Sequence, residues 1–92
     1  MITVLKAGNG LRTVRFALPL KDFAAPVSVV GDFNQWRPGA HPLLPRTNGT
    51  ISALVKIPEG RKVSFRYLGE DGWFDDAEVA DREGANCVIA VP

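Results

Sequence analysis

Apolar and polar residues alternate over much of this 92-residue chain. Val14, Phe16 and Leu18 interleave with Thr13, Arg15 and Ala17, and Val63, Phe65 and Tyr67 interleave with Lys62, Ser64 and Arg66. A period of two puts one set on each face of an extended chain, so both segments read as half-buried β-strands. Ile51, Ala53, Val55 and Ile57 repeat the pattern, with Ser52 and Lys56 on the other face and Leu54 as an apolar exception there. Val27 and Val29 lead into Gly31, Cys87, Ile89 and Val91 close the chain, and an earlier strand is expected around Ile2 to Leu5. Between these segments lie Gly8-Asn-Gly10, Arg46-Thr-Asn-Gly49, Pro58-Glu-Gly60 and Gly69-Glu-Asp-Gly72, which are turn chemistry. Glycine and proline fall so evenly that the longest stretch free of both is Trp73 to Glu83, which argues against long helices. Within it, Ala77 to Glu83 has Val79 as its one sizeable apolar residue and reads as a surface connection. Short β-branched strands in a single domain, residues 1–92, predict an all-β fold, an antiparallel sandwich.

Composition narrows the function classes. Leu, Ile, Val and Phe make up 27 of the 92 residues, enough to build a core, but a domain this size has no room for a large catalytic cleft. Eleven basic residues against ten acidic ones give a net charge of +1 with no basic run, which argues against a nucleic-acid partner. No apolar stretch approaches the ~18–20 residues of a membrane helix, so no membrane partner is expected either. One cysteine excludes an intrachain disulfide and a cysteine-clustered zinc site, and no cofactor motif is present. The expected compartment is the cytoplasm.

Few residues offer chemistry. His41 sits between Ala40 and Pro42 with no nucleophile recognisable beside it and reads as an exposed loop histidine. Asp71, Asp75, Asp76, Glu78, Asp81 and Glu83 form an acidic cluster, but Asp75 and Asp76 would face opposite ways in an extended chain and lack the spacing of a calcium loop. A solvated acidic face is expected. Cys87, in an apolar run with no basic residue close in sequence, reads as a small core residue rather than a nucleophile. Trp36 and Trp73 stand apart because both fall in turn-rich segments, where large rings are candidates for exposed platforms or for caps on a small core.

Trp36 ends the run Val27-Ser-Val-Val-Gly-Asp-Phe-Asn-Gln-Trp36. Farther along come Ile57-Pro-Glu-Gly60, Ser64-Phe-Arg-Tyr-Leu68, Asp71-Gly-Trp-Phe-Asp-Asp76 and Asn86-Cys-Val-Ile-Ala-Val91. In this combination, from about Leu11 to Val91, the chain resembles the family-48 carbohydrate-binding modules. That family includes the glycogen-binding domain of the AMP-activated protein kinase β subunit and the N-terminal early-set domains of isoamylase and glycogen branching enzymes. The resemblance implies an immunoglobulin-like sandwich that binds α-glucan polysaccharide or malto-oligosaccharide without catalysis, with Trp36 and Trp73 as stacking platforms and Arg66 and Asn86 as hydrogen-bonding groups. It also implies a glycogen-metabolising enzyme or another protein as a partner, and a protein-interaction module with a degenerate sugar site as the alternative. Strand parity independently puts Arg66 and Asn86 on the face away from the core. Phe33 is expected in the core, Asn34 in a turn bonded to nearby backbone, Gly31 and Gly72 where a side chain would obstruct a turn, and Asp76 in local backbone bonding. Three departures stand out: a longer loop before Trp73, cysteine at Cys87 where the kinase-subunit domain has asparagine, and arginine at Arg66 where it has lysine.

Overall fold

A computed structural model describes residues 1–6, 8–23 and 26–92. The alternating segments become β1 (Ile2–Lys6), β2 (Leu11–Pro19), β3 (Ser28–Gly31), β5 (Thr50–Pro58), β6 (Lys62–Gly69) and β9 (Asn86–Ala90). Three short strands that alternation does not predict join them: β4 (Leu44–Pro45), β7 (Gly72–Phe74) and β8 (Arg82–Glu83). β8 lies in the segment expected to be a plain connection, which is exposed except at the half-buried Val79.

The strands pair antiparallel in two sheets, one ordered β1-β2-β5-β4 and the other β3-β6-β9-β8, with β7 also hydrogen-bonded to β6. With β7 and β8 set aside as the connection between β6 and β9, the remaining seven strands follow the order A-B-E-D and C-F-G of an immunoglobulin-like sandwich. The expected fold class is the observed one. β3 is extended at its outer edge by a bridge between Ser28 and Pro42.

The core lies between the sheets where parity predicts it. Val14, Phe16, Val55 and Ile57 from one sheet meet Val29, Val63, Phe65, Tyr67 and Cys87 from the other, all at 4% exposure or less. Phe16 sits edge-on to Phe65 with ring centroids 5.0 Å apart, and Phe65 sits edge-on to Tyr67 at 5.6 Å. Cys87 is wholly buried, as expected of a small core residue. Among the described residues no helix is long and apolar enough to cross a membrane.

Candidate functional site

The first candidate platform, Trp36, hangs from the end of β3. There the chain turns through a single 3-10 turn, Asp32–Asn34, and the Asn34 side chain fastens it. Its Oδ1 accepts from the Gly31 N–H at 3.0 Å, which fixes which end of the amide is oxygen. Its Nδ2 therefore donates, to the Val29 carbonyl at 3.1 Å and to His41 Nδ1 at 3.0 Å. Phe33 points inward, packing against the core and stacking on Phe16 at 5.6 Å. Both residues do what the sequence led us to expect.

His41 does not. It is half-buried, hydrogen-bonded to Asn34 and edge-on to Phe33 at 5.7 Å, because the loop that ends at Pro42 folds back over the Asn34 turn. Sequence spacing alone gives no sign of that contact. Gly31 also differs in its reason: its backbone is extended, and what excludes a side chain is space, since a Cβ would lie 2.5 Å from both the Ser64 carbonyl oxygen and the Phe33 ring. Beyond Asn34 the chain reverses through Gln35 and Trp36, both left-handed at φ 59° and 55°, and the Trp36 N–H returns to the Gly31 carbonyl at 2.9 Å. A left-handed backbone at two side-chain-bearing residues costs roughly 1–2 kcal/mol each. The surrounding bonds hold it, and the Trp36 side chain stays 37% exposed.

The second platform, Trp73, is set by strand register. β7 pairs with β6 so that Trp73 lies beside Leu68, Phe74 beside Tyr67 and Gly72 beside Gly69. Alternation then sends Phe74 inward, against Tyr67 and Phe23 at 5.3 Å each, and Trp73 outward, 46% exposed. Gly72 carries φ 112°, a turn value that a side chain rarely adopts. Arg66, two residues along β6 on the same face, places its Cζ 6.0 Å from the Trp73 ring centroid and donates from Nε to Asp75 Oδ1 at 3.0 Å. Asn86 precedes Cys87, which pairs with Phe65, so register sets it beside Arg66 on the outer face, half-buried. Trp73, Arg66 and Asn86 thus share one face. Trp36 is rooted at Gly31, opposite Phe65, and Trp73 lies opposite Leu68, three residues along β6 or about 10 Å at the usual strand rise. A shallow depression of about 380 Å³ flanks Trp73, lined among others by Phe23, Val27, Asp71 and Phe74.

The chain is similar to a segment of bacterial 1,4-alpha-glucan branching enzymes. It is 37% identical over 76 residues to the 1,4-alpha-glucan branching enzyme GlgB 2 of Xanthomonas campestris pv. campestris (strain 8004), covering 74% of this chain and 10% of that enzyme. It is 40% identical over 65 residues to GlgB of Deinococcus radiodurans (70% and 9%) and 33% identical over 75 residues to GlgB of Cupriavidus pinatubonensis (80% and 10%). The chain spans about a tenth of the length of these curated relatives. No protein-family profile matches it. The resemblance is confined to this small segment of those enzymes.

Behind the outer face lies a polar network that the sequence did not disclose. Asp75 and Asp76 do face opposite ways. Asp75 is exposed and bridges Arg66 to Arg82, whose Nη1 is 3.5 Å away. Asp76 is buried: its Oδ2 accepts from the Tyr67 hydroxyl at 3.0 Å and its Oδ1 from the Glu78 N–H at 3.0 Å, which is local backbone bonding as expected. The α-amino group of Met1 lies 3.5 Å from Oδ2. Burial, and then the Asp76 carboxylate, push the Tyr67 phenol far up from its ordinary pKa. The acidic face is thus solvated except at Asp76. Cys87 does have a basic neighbour, contrary to expectation: Arg82, five residues earlier, crosses the β8–β9 turn and brings Nη1 to 2.7 Å from Sγ. Among the described residues no three His, Cys, Asp or Glu side chains form a group that could hold a metal.

Proposed function

We propose that this domain is a non-catalytic binding module for glycogen- or starch-type α-1,4/α-1,6-glucans, acting in the cytoplasm. Trp36 and Trp73 are its stacking platforms, and Arg66 and Asn86 supply donors and an acceptor for sugar hydroxyls. The observation that carries this reading is the outer face of the β3-β6-β9 sheet, where a polar strip at Arg66 and Asn86 lies beside the exposed ring of Trp73 and next to the root of a second exposed ring. A glucose ring offers an apolar C–H face to an indole and a rim of hydroxyls to polar side chains, so this combination suits it. The similarity to 1,4-alpha-glucan branching enzymes favours an α-glucan over other polysaccharides. Such a module brings itself, or an enzyme acting on the same polymer, to the glucan.

An open face keeps much of the sugar wet, so the expected dissociation constant for a short oligosaccharide is roughly 0.05–1 mM, or −4 to −6 kcal/mol. On a branched polymer, avidity raises this. The test is titration of tryptophan fluorescence with maltoheptaose, with cellohexaose as control, on the wild type and on Trp36→Ala and Trp73→Ala. A saturable response to the α-glucan alone, lost in both folded variants, supports the reading. Silence to several times the ~1 mM weak limit overturns it and makes a protein partner the reading to pursue. A reducing-end assay on starch should register no turnover.

A further inference from the structure

The opposite sheet has a feature that the glucan reading does not use. On the outer face of β2 and β5 a hollow of about 330 Å³ is lined by Arg15, Arg46, Thr47, Asn48, Thr50, Ser52 and Leu54. Register explains the convergence. Arg15 pairs with Leu54 and Ala17 with Ser52, so Arg15, Ser52 and Leu54 point away from the core on adjacent strands. Arg46, just beyond β4, is held over the sheet: its N–H donates to the Thr50 carbonyl at 2.8 Å, its Nε to Ser52 Oγ at 2.8 Å and its Nη2 to the Ser52 carbonyl at 3.1 Å. Asn48 accepts from the Thr50 hydroxyl and N–H through Oδ1, which fixes the amide in the turn beside it.

The charge of this hollow is not balanced locally. Arg12, Arg66 and Arg82 each face a carboxylate, at Glu59 or Asp75. No carboxylate is among the residues lining this hollow, although two guanidinium groups share it. The Arg46 guanidinium is already oriented by two hydrogen bonds to Ser52, so little side-chain freedom is lost when an anion arrives. We propose that the hollow is a second ligand site, for a phosphomonoester carried on a sugar. The Arg15 fork matches a phosphate's paired oxygens, Arg46, whose Nε and Nη2 are held by Ser52, adds a fixed positive charge, the threonine hydroxyls and the Asn48 amide suit sugar hydroxyls, and Leu54 offers an apolar flank for the ring. At about 330 Å³ and open to solvent, the hollow has room for more than a lone phosphate.

The test is a ¹⁵N–¹H NMR titration of the whole chain with glucose 6-phosphate, inorganic phosphate, glucose, and sodium chloride at matched ionic strength. Saturable shifts of the Thr47–Ser52 amides with glucose 6-phosphate, absent with glucose and with salt, are expected, and Arg15→Gln should weaken them at least fivefold without changing the thermal midpoint. Inorganic phosphate binding as tightly as glucose 6-phosphate overturns the sugar part of the proposal. Shifts reproduced by sodium chloride, or unaltered in Arg15→Gln, overturn the site altogether. Dextrins from phosphorylated starch, before and after phosphatase treatment, then tell a free sugar phosphate from an ester on a glucan chain. Because the site is on the other sheet, its failure leaves the maltoheptaose response of Trp36 and Trp73 unaffected, and failure of that response leaves these shifts intact.

Discussion

The two exposed tryptophans reach the solvent by different physical routes. Trp36 is placed by a dedicated local device: a crowded Gly31, an Asn34 side chain bonded in three directions, and two left-handed residues in succession. Trp73 is placed by ordinary hairpin register, with Phe74 anchoring the same short strand from the inside and an exposed ion network beside it. The first arrangement depends on a few side chains whose loss cannot be absorbed. The second distributes its hold over backbone pairing and core contact, so its surface charges matter little.

The most damaging way to break the Trp36 device is Gly31→Ala. The added methyl has no space between Ser64 and Phe33, and a loss of about 2–3 kcal/mol is expected, lowering the thermal midpoint by roughly 10–20 °C. A fall of less than about 3 °C would mean that the crowding at Gly31 relaxes freely. Asn34→Ala comes next, at about 2 kcal/mol in urea unfolding, because it strands the Gly31 N–H and the Val29 carbonyl. Asn34→Asp keeps the acceptor for Gly31 but not the donors, and should lose about half as much. Equal losses would show that the bond accepted from the Gly31 N–H contributes nothing and that the donors to Val29 and His41 carry the whole effect.

Tyr67 sharpens the comparison from the Trp73 side, since its hydroxyl ties β6 to Asp76, just beyond β7. Its pKa is raised in the folded state, so the folded protein retains a proton that the unfolded chain releases near pH 10. The stability this provides is intact below about pH 10 and is lost above it, by up to about 1.4 kcal/mol per pH unit for this one group. Tyr67 is the chain's single tyrosine, so phenolate absorbance should appear only as the protein unfolds and not before. Tyr67→Phe should have a shallower alkaline loss. Asp75→Asn is the smallest change: the exposed pairs with Arg66 and Arg82 should be worth under about 1 kcal/mol, and maltoheptaose affinity should move less than about threefold. A tenfold change in affinity would mean that Asp75 orients Arg66 for the sugar.

The sheets were legible in the sequence because β2, β5 and β6 are long enough for a period of two to declare itself, and each buries at least the middle of one face. β4 and β8 are two residues long and exposed, too short to leave a pattern. At the candidate site, parity places Arg66 and Asn86, and the turn residues around Trp36 and Trp73 suggest that their rings reach the surface. The positions of His41 and Arg82 are not legible in the same way. His41 meets Asn34 only because its loop folds back over the turn, and Arg82 meets Cys87 only because the unpredicted strand β8 pairs with β9 and brings five residues of chain around a corner. Both contacts are made by side chains whose neighbours are chosen by tertiary packing and not by spacing.

The ends of the two sheets carry a consequence for behaviour in a crowded setting. An unpaired strand is a template on which another chain can add, and small sandwiches are exposed to that hazard at every rim. Here β4 stops after two residues at Pro45, which has no N–H to offer, β8 is a charged pair of residues, and the outer side of β3 is bridged by Pro42. β7 adds a three-residue edge beside β6, and among the described edge strands β1, with five residues, presents the longest run of backbone. Any growth of copies into a continuous sheet would therefore have to start at β1.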